Sequence, residues 1–388
     1  MPLRIVIDAR RIRDFGIGTY IRSLTHALAG LDTTHRYILV TSADDCRTVA
    51  GLPPNFESAA FGGKDQEYKD HFAFPMFLRG LRPNLVHLPV NHVPLLMPKP
   101  YVVTVHDMAD LMFQDWSGWR RGLERFQMQY GLMRANRIIA VSDATRRDLE
   151  NLLRIPAERV RLVYNAPDPE FFTHPCAADA RAAGPDAPRL ERQRILERYQ
   201  IHYPFLLYAG NIRPQKNIPR LVEAFRMVME DFKEHPVWRS LRLIIIGDEI
   251  SKNPSVRQAV IKSRVEDSVR FLGFVPFDTL RCFYESAAAF VFPSLYEGFG
   301  LPPLEAMASG TPVVTSSISS LPEVAGDAAV LVNPENVFDI KRGICAVLSD
   351  ENLRRELICR GREHAARYSW ERTAKQVLEI YHQVARKK

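Results

Sequence analysis

The chain has 388 residues and a net charge of +7; 46% of its residues are hydrophobic and 25% are charged. This length exceeds what one hydrophobic core usually serves, so we expect two domains, and the composition excludes an intrinsically disordered chain. No apolar run is long enough to span a membrane, and the start, MPLRIVIDARR, is not typical of a secretion signal, so the sequence predicts a cytoplasmic protein.

Short, uninterrupted apolar segments alternate with longer helical patterns along the chain. Such segments are typical of strands that are buried on both faces of a parallel sheet covered by helices. The pattern therefore predicts an α/β chain with two doubly wound parallel-sheet domains. The predicted strands are LRIVID, YILVTS, LVHLP, YVVTVHD, RIIAVS and VRLVYN in the first half, and PFLLYAG, LRLIIIGD, VRFLGFV, AAFVFPS, PVVTS and AVLVN in the second.

A segment rich in Ala, Pro and Arg, residues 174–194, separates the two halves and has the composition of a linker. We place the first domain at residues 1–185, the second at 186–370, and a C-terminal helix that packs back on the first domain at 371–388. Ser369 is predicted to cap this helix. Because open parallel sheets bind ligands beyond the carboxyl ends of their strands, we expect the site in loops after strands, in a cleft that both domains face.

The first strand is followed by RRIRDFGIGTY, in which Gly16 and Gly18 precede a helix that Thr19 is predicted to cap. A Gly-x-Gly pair is weak evidence for a ligand site, since a tight turn explains it equally well. The Gly-x-Gly-x-x-Gly fingerprint is absent, which argues against a dinucleotide-dependent oxidoreductase. The arginines before this turn are expected on the solvated surface, with contact to an anionic acceptor as the alternative: Arg10, Arg11 and Arg13.

His106 and Asp107 follow the strand YVVTV directly. From the residues alone, a satisfied loop pair is favoured over a catalytic pair. His87 and His92 are expected to be loop histidines near the acceptor side, and no spacing is typical of a metal site. The cysteines have neither metal-site nor disulfide spacing and are expected to be buried small side chains: Cys46, Cys176, Cys282, Cys345 and Cys359.

The positive net charge favours an anionic partner, but no segment resembles a nucleic-acid-binding motif, so we expect no nucleic acid partner. Between residues 120 and 154, eight arginines stand against four acidic residues. We interpret this segment as a solvated helical face. The alternative is peripheral contact with an anionic membrane, because Trp116 and Trp119 precede the segment and indoles suit the headgroup region.

The most specific pattern is SLYEGFGLPPLEAMASG, which sets Glu297 and Glu305 eight positions apart. Glu297 follows a predicted strand, while the Pro-Pro pair suits the first turn of a helix that Gly310 ends. We therefore predict Glu297 on a loop at the carboxyl edge of the sheet and Glu305 in the first helical turn. A structural turn, with Glu305 complementing the helix dipole, is the alternative.

Gly298 and Gly300 lie between these carboxylates and let backbone amides approach a ligand closely. The N-terminus of the following helix favours a phosphate at the same place. Carboxylates bind phosphate poorly but accept hydrogen bonds from hydroxyl groups, as a sugar or ribose presents. The combination favours a sugar nucleotide over a purely structural turn.

This segment resembles the motif of two glutamates separated by seven residues in retaining glycosyltransferases of family GT4. The resemblance extends through YEGFGLPPLEAMASGTPVVTSSISSLPEVAGDAAVLVNP. It implies the GT-B architecture of two facing Rossmann-like domains, a nucleotide-diphosphate sugar donor held mainly by the second domain, and neither a metal nor another cofactor. The run SSLPEVAGDAA and the HDM segment that begins at His106 look most like bacterial mannosyltransferases of polysaccharide assembly. GDP-mannose is therefore the first expected donor, a UDP-sugar the second, and a saccharide or lipid-linked saccharide the expected acceptor.

The resemblance assigns Glu297 to the donor-sugar hydroxyls near the reacting carbon and Glu305 to the ribose hydroxyls. Lys216, in YAGNIRPQKN, would neutralise the leaving diphosphate. Many family members carry an arginine where this chain has Asn211, and Arg213 is either its replacement or a surface residue. The residues between the two glutamates that are assigned to the donor are Gly298, Phe299, Gly300 and Leu301.

In the first half, the resemblance places Gly16 and Gly18 opposite the donor phosphates and His106 beside the donor sugar, with Asp107 orienting it. His106 and Glu297 are thus the expected catalytic residues. Retention is expected to proceed with the departing diphosphate deprotonating the acceptor, and a double displacement on Glu297 is the alternative. The nucleotide base is expected against Phe271 and Leu272, and Glu323 is either a helix cap or a ligand. A non-catalytic nucleotide-sugar-binding subunit is the competing function.

Overall fold

The computed structural model describes residues 2–14, 16–49, 51–63, 70–113, 118–172 and 187–386. Contacts within the chain divide it into two units, residues 1–166 with 369–388 and residues 167–368. The predicted boundary between residues 185 and 186 lies outside the described residues, as does residue 116. Most of the predicted linker is also outside them, and its last residues belong to a helix that begins at Ala187.

The described part of the first unit contains a seven-stranded parallel sheet of order β3-β2-β1-β4-β5-β6-β7. Its strands are β1 (Arg4–Asp8), β2 (Arg36–Thr41), β3 (Phe56–Ala60), β4 (Leu85–Leu88), β5 (Tyr101–Val105), β6 (Arg137–Ala140) and β7 (Val160–Leu162). The helices that connect them are α1 (Ile17–Leu31), α2 (Asp70–Gly80), α3 (Ala109–Phe113), α4 (Gly118–Arg134) and α5 (Asp143–Leu153), with 3-10 helices at Ala43–Val49 and Ala157–Arg159.

The second unit contains a six-stranded parallel sheet of order β10-β9-β8-β11-β12-β13 among its described residues. Its strands are β8 (Phe205–Ala209), β9 (Arg242–Ile246), β10 (Val269–Gly273), β11 (Ala289–Phe292), β12 (Val313–Ser316) and β13 (Ala329–Val332). Its helices are α6 (Ala187–Arg198), α7 (Ile218–Asp231), α8 (Pro254–Ser263), α9 (Phe277–Ser286), α10 (Leu301–Ala308), α11 (Leu321–Ala325), α12 (Val337–Ser349) and α13 (Glu351–Ala365). Its 3-10 helices are Pro169–Phe171, Pro214–Lys216, Trp238–Ser240 and Ile250–Lys252.

Both sheets are doubly wound around a central strand. β1 pairs with β2 on one side and β4 on the other, so Ile5 lies opposite Tyr37 and Leu85. β8 has the same position between β9 and β11. Connections leave these central strands in opposite directions, which opens a crevice at the carboxyl ends where such sheets bind ligands. The predicted doubly wound α/β class is confirmed, and the twelve predicted strands are all present; β3 was not predicted.

After the second unit the chain returns to the first with α14 (Trp370–Ala385), which packs against α1. The Ser369 hydroxyl accepts a hydrogen bond from the Arg372 amide at 3.2 Å, so the predicted cap is confirmed. Trp370 and Tyr381 are buried on the inner face of α14. The first unit is therefore built from two separate stretches of chain.

His87 is not the loop histidine that the sequence predicted, because it lies in β4 and is fully buried. Its Nδ1 lies 2.6 Å from the Tyr381 hydroxyl and its Nε2 lies 2.8 Å from the Thr104 hydroxyl. The hydroxyl of Tyr20 lies 3.0 Å from the same threonine oxygen. Burial, assisted by the nearby His106, lowers the pKa of His87 to about 3. This histidine is a neutral core residue that joins β4 to α14.

The cysteines were expected to be buried, and only Cys282 is buried among those that the structure describes. Cys46 and Cys345 are partly exposed, and Cys359 is exposed on α13. Cys176 lies outside the described residues. The expectation fails because the number of small apolar positions in a core is set by packing, which spacing along the chain does not reveal.

The buried neutral state of His87 predicts an acid-sensitive first unit. The pKa of His87 is about 3 in the folded chain and 6.5 in the unfolded chain, so between these pH values the unfolded chain binds more protons. The free energy of unfolding is therefore highest above pH 6.5 and decreases as the pH falls toward 3. In urea titrations, His87→Gln should reduce the slope of unfolding free energy against pH by about 1.4 kcal/mol per pH unit. His202→Gln, at an exposed histidine, is the control. An unchanged slope in His87→Gln would contradict the assignment.

Candidate active site

The centre of the candidate site in the second unit is an ion pair between Lys216 and Glu297. Lys216 ends the 3-10 helix that follows β8, and Glu297 lies on the loop after β11. The Lys216 Nζ lies 2.6 and 2.7 Å from the two carboxylate oxygens, and Glu297 is only 9% exposed. The Leu295 amide donates a hydrogen bond to the Gln215 carbonyl at 2.7 Å, which ties the same loops together. Two residues predicted separately are thus in direct contact.

Two serines that the sequence interpretation missed hold the loop that carries Glu297. The Ser319 hydroxyl accepts from the Glu297 amide at 3.1 Å and donates to its carbonyl at 2.7 Å. The Ser320 hydroxyl is fully buried and lies 2.9 Å from the Glu297 carbonyl and 2.6 Å from that of Phe299. The signal available in the sequence was the serine pair before a short helix. Glu323 lies in the first turn of that helix. Its two predicted roles, helix cap and ligand, both stay predictions.

The glycine turn before α10 requires the absence of a side chain. Gly300 has a φ of +114°, and a Cβ built there would lie 2.8 Å from Leu321 Cδ2. Gly298 and Phe299 are buried, and the Phe299 ring packs edge-on against Tyr368 at 6.0 Å. Leu301, the first residue of α10, is partly exposed. The helix begins where the Pro-Pro pair predicted.

Glu305 lies one position beyond the first turn of α10, which corrects the predicted location. The Tyr284 hydroxyl donates a hydrogen bond to its Oε2 at 3.1 Å. Burial raises the pKa of Glu305 to about 7, although the hydrogen bond from Tyr284 opposes the shift, and the charge of Asp168 adds to it. This carboxyl therefore changes its charge near neutral pH.

The loop after β8 carries an amide where an arginine is common in the resembled family. The Asn211 Oδ1 is buried and has no hydrogen-bond partner among the described residues, while its carbonyl accepts from the Tyr208 hydroxyl at 2.9 Å. The next residue is fixed by a 2.9 Å bond from the Ile212 amide to Asp248 Oδ2. Arg213 is exposed, which leaves both of its predicted roles open.

In the first unit, His106 follows β5 directly, as predicted. Its Nε2 is buried without a hydrogen-bond partner among the described residues, and its ring packs edge-on against Tyr20 at 4.8 Å. Burial lowers the pKa of His106 to about 4, against the effect of a hydrogen bond to the Pro89 carbonyl. The ring is therefore neutral at physiological pH, with Nδ1 as the donor to Pro89 and Nε2 as a hydrogen-bond acceptor.

Asp107 does not orient His106, contrary to the prediction. Its Oδ1 accepts from the Ala109 amide at 2.9 Å at the start of α3. Asn91, which the sequence interpretation missed, positions the backbone of His106 and Asp107 instead. Its Oδ1 accepts from the His106 amide at 3.3 Å, and its Nδ2 donates to the Asp107 carbonyl at 2.6 Å. His92 lies in the same loop, as expected.

Gly16 precedes α1, whereas Gly18 is its second residue and not before the helix as predicted, and the two glycines are needed for different structural reasons. Gly16 has a φ of +65° and is the N-cap of α1, so Thr19 does not cap this helix. A Cβ on Gly18 would lie 2.5 Å from the Ile12 carbonyl oxygen, and the Gly18 amide already donates to the Asp14 carbonyl at 3.0 Å. Close packing alone therefore explains Gly18.

Arg10 is not a solvated surface residue, which corrects the prediction. Its side chain is 6% exposed and pairs with Asp8 and Asp70, each at 2.8 Å. The guanidinium also lies 3.7 Å from the centre of the Phe74 ring. Arg11 and Arg13 are more exposed, at 26% and 68%. The predicted base-contacting residues Phe271 and Leu272 are partly exposed on β10, at the edge of the second sheet.

Comparison with known proteins identifies the family. The family model described as Glycosyltransferase Family 4 matches residues 16–171, and the one described as Glycosyl transferases group 1 matches residues 192–364. The O-antigen chain mannosyltransferase B of Escherichia coli is 32% identical over 308 residues, which cover 78% of this chain and 75% of that protein. This chain belongs to the GT4-type glycosyltransferases with the GT-B fold. The resemblance noted in the sequence is confirmed.

Further relatives agree with this family. The serotype-specific mannosyltransferase WbdA of Escherichia coli is 29% identical over 76% of this chain, which spans only 34% of its length. The sucrose-phosphate synthase of Thermosynechococcus elongatus has a TM-score of 0.76 with 21% identity over the full length of both chains. Anabaena HepE in complex with UDP-glucose has a TM-score of 0.75 with 15% identity over 98% of this chain and 100% of that one. These two structures show the GT-B fold of this glycosyltransferase.

This glycosyltransferase was also expected to need no metal ion. Within the ranges that the structure describes, no group of three or more His, Cys, Asp or Glu side chains is arranged to hold a metal ion. The predicted metal independence stays a prediction.

The strained turn at Gly300 yields a stability prediction. Gly300→Ala should lower the free energy of unfolding of the second unit by about 2 kcal/mol, because alanine is strained at this φ and its Cβ would contact Leu321. Gly30→Ala is the control, since Gly30 is exposed in α1 with open space around its Cβ position. That control should be neutral or stabilising in thermal unfolding. Equal stability of Gly300→Ala and the parent chain would show that the turn does not need glycine.

Proposed function

We propose that this glycosyltransferase moves mannose from GDP-mannose to a saccharide or lipid-linked saccharide, with retention of configuration and without a metal. The buried Lys216–Glu297 pair beside the N-terminus of α10 is the observation that carries the proposal. The mannosyltransferase names of two relatives favour the mannose donor. A UDP-sugar is the second candidate, because structurally similar HepE was solved with UDP-glucose.

The diphosphate of the donor needs positive charge in the absence of a metal. An ammonium group has three protons, and Lys216 directs two hydrogen bonds at Glu297, which leaves one for a phosphate oxygen. Arg213 is the candidate second cation because it is exposed on the same loop. We assign the backbone between Gly298 and Leu301 to the sugar and the diphosphate, where the dipole of α10 adds to the attraction.

Retention in this proposal proceeds on one face of the sugar. The bond from the anomeric carbon to the diphosphate oxygen breaks, the acceptor oxygen bonds to the same carbon, and the acceptor proton passes to the departing diphosphate. Both oxygens of Glu297 are engaged by Lys216, which favours a binding carboxylate over a nucleophile. Glu297 would stabilise positive charge near the anomeric carbon and accept hydrogen bonds from sugar hydroxyls.

The remaining assignments follow from the chemistry of each group. The neutral His106 presents Nε2 as an acceptor for a sugar hydroxyl, and Gly16, with Gly18, provides the turn assigned to the donor phosphates. Glu305 is assigned to the ribose hydroxyls. Phe271 and Leu272 remain the proposed neighbours of the base. The scattered free cysteines support a cytoplasmic enzyme, placed at the inner face of the membrane.

A donor panel tests the proposed reaction. GDP-mannose should stabilise the chain in thermal-shift assays more than UDP-, ADP- or other GDP-sugars and should give a product with the anomeric configuration of the donor. A shift with UDP-sugars and none with GDP-mannose would refute the mannose donor. Inversion in the product would refute the same-face mechanism.

Substitutions extend this test to the competing function. Glu297→Gln and Lys216→Met should each lower kcat by about a hundredfold or more, because each removes charge stabilisation from the transition state. Glu335→Gln, at an exposed glutamate, is the matched control. A non-catalytic binding subunit would instead retain donor binding in Glu297→Ala and His106→Ala and show no turnover in any variant.

The raised pKa of Glu305 predicts a pH dependence of nucleoside binding. Because the ionised carboxyl accepts two ribose hydrogen bonds and the protonated one accepts fewer, affinity for guanosine should rise as pH increases through about 7. Guanosine is used because it has no titrating phosphate. Tyr284→Phe removes a hydrogen bond that lowers this pKa, so it should move the midpoint upward, and Glu305→Gln should flatten the profile. A parent profile identical to that of Glu305→Gln would refute the ribose assignment.

A further inference from the structure

Helix α4 presents an apolar stripe on its exposed side. Large apolar residues recur at alternating intervals of four and three, a spacing that places them on one side of a helix. All of them are exposed, by 68%, 39%, 61%, 38% and 39% in chain order: Trp119, Leu123, Phe126, Tyr130 and Met133. Soluble chains rarely expose such a continuous apolar row without a partner. We call these five residues the α4 stripe.

The buried residues of α4 lie toward its C-terminal end. Among its described side-chain positions, Gly131 and Leu132 are the buried ones. A Cβ on Gly131 would lie 2.5 Å from the Val93 Cβ, so the helix closely approaches the loop at residues 91–97 there. The α4 stripe is therefore not the core-facing side of the helix.

Helix α2 flanks the same loop and adds exposed apolar side chains. Phe72 and Met76, one turn apart, are 61% and 69% exposed. The His71 ring lies 5.1 Å from that of His92, and Arg79 Nη2 donates to the Leu96 carbonyl at 3.2 Å. The loop at residues 91–97 thus joins two helices that both expose large apolar residues.

The charge around the α4 stripe is positive. The sequence of α4 contains four arginines and one glutamate, a net charge of 4 − 1 = +3. Arg125 is exposed, and the Arg134 guanidinium lies 5.4 Å from the centre of the Tyr130 ring and donates to its hydroxyl at 2.9 Å. Aromatic rings beside arginines suit the headgroup region of an anionic bilayer.

A second copy of the chain fits the same stripe less well. If two copies of α4 paired through the stripe as a coiled coil, one flanking position would hold Arg120, Gln127 and Arg134, and the other would hold Gly122 and Gln129. No acidic residue occupies either flanking set, so two helices would lack the charge pairing that selects a partner. Trp119 and Tyr130 are also poor seam residues compared with Leu or Ile.

We propose that the α4 stripe and the exposed face of α2 dock the protein on an anionic lipid bilayer, with α4 parallel to its surface. The apolar side chains would enter the acyl boundary while the arginines contact lipid phosphates. The docking serves the proposed transfer to a lipid-linked acceptor and deepens that proposal by naming the surface. Lipid binding requires no turnover, so it is tested separately from the reaction.

Vesicle sedimentation with the full chain tests the docking. The parent chain should sediment with phosphatidylcholine vesicles that contain phosphatidylglycerol and not with phosphatidylcholine alone. The double variant Trp119→Ser, Phe126→Ser should reduce the bound fraction about tenfold, because both side chains lose apolar surface available to the bilayer. Phe338→Ser is the matched control, since Phe338 is 70% exposed on α12 in the second unit.

Two charge-reversal variants test whether the arginines of α4 contribute to vesicle binding. Arg125→Glu should weaken binding to anionic vesicles, and Arg257→Glu, at an exposed arginine of α8, should not. Raising the salt concentration to about 0.5 M should also weaken binding of the parent chain to anionic vesicles. Thermal-shift response to GDP and transfer to a free saccharide should be unchanged in all of these variants.

Two results would overturn the proposal. The first is equal sedimentation of the parent and the double variant with anionic vesicles, including no binding by either. The second is a dimer of the parent chain, measured by light scattering, that the double variant converts to a monomer, which would assign the stripe to a second copy. If the chain transfers the sugar but does not bind vesicles, the docking proposal fails and the proposed reaction stands. If the chain binds vesicles but does not transfer the sugar, the proposed reaction fails and the docking proposal stands.

Discussion

The geometry of the candidate site in the second unit depends on the ion pair between Lys216 and Glu297. Two charges withdrawn from water are tolerated only when each is fully matched, and here one ammonium group engages both carboxylate oxygens. The pair connects the end of the central strand β8 to the end of its neighbour β11. Ser319, which follows β12, fixes the backbone of the same glutamate. Segments that follow three neighbouring strands thus converge on a single residue, Glu297, with Lys216 bound to its carboxylate and Ser319 bound to its backbone.

The central strands were predictable because burial on both faces requires uninterrupted apolar runs. Strand β3 was missed for the opposite reason: it lies at the sheet edge, and of its five residues only Phe56 is buried. Its exposed Glu57 pairs with Arg36 of β2, which a search for apolar runs cannot detect. Helix starts were predictable where a local side chain or a proline sets them, as at Ser369 and in α10. Helix starts were not predictable where backbone conformation alone sets the first residue, as at Gly16.

The family resemblance supplied the candidate site residues, but it could not predict the contacts between them. The glutamate and the lysine were each recognised, yet their pairing spans 81 positions and leaves no local signal. The same limit explains the error at Arg10, whose partner Asp70 is 60 positions away. Asn91 and Ser320 were missed because their bonds are made to backbone atoms of distant loops. A resemblance proposes candidate side chains, and tertiary contacts determine which of them touch.

The return of the chain to the first unit in α14 has a consequence for biosynthesis. The second unit, a continuous stretch, is inserted between two parts of the first, and the buried hydroxyl of Tyr381 is the partner of His87 in the middle of the first sheet. During translation, α14 is therefore made only after the whole second unit, and until then α1 and His87 lack these packing partners. The inserted unit can complete its own core earlier. The interval in which His87 lacks its partner hydroxyl is set by the length of the insertion.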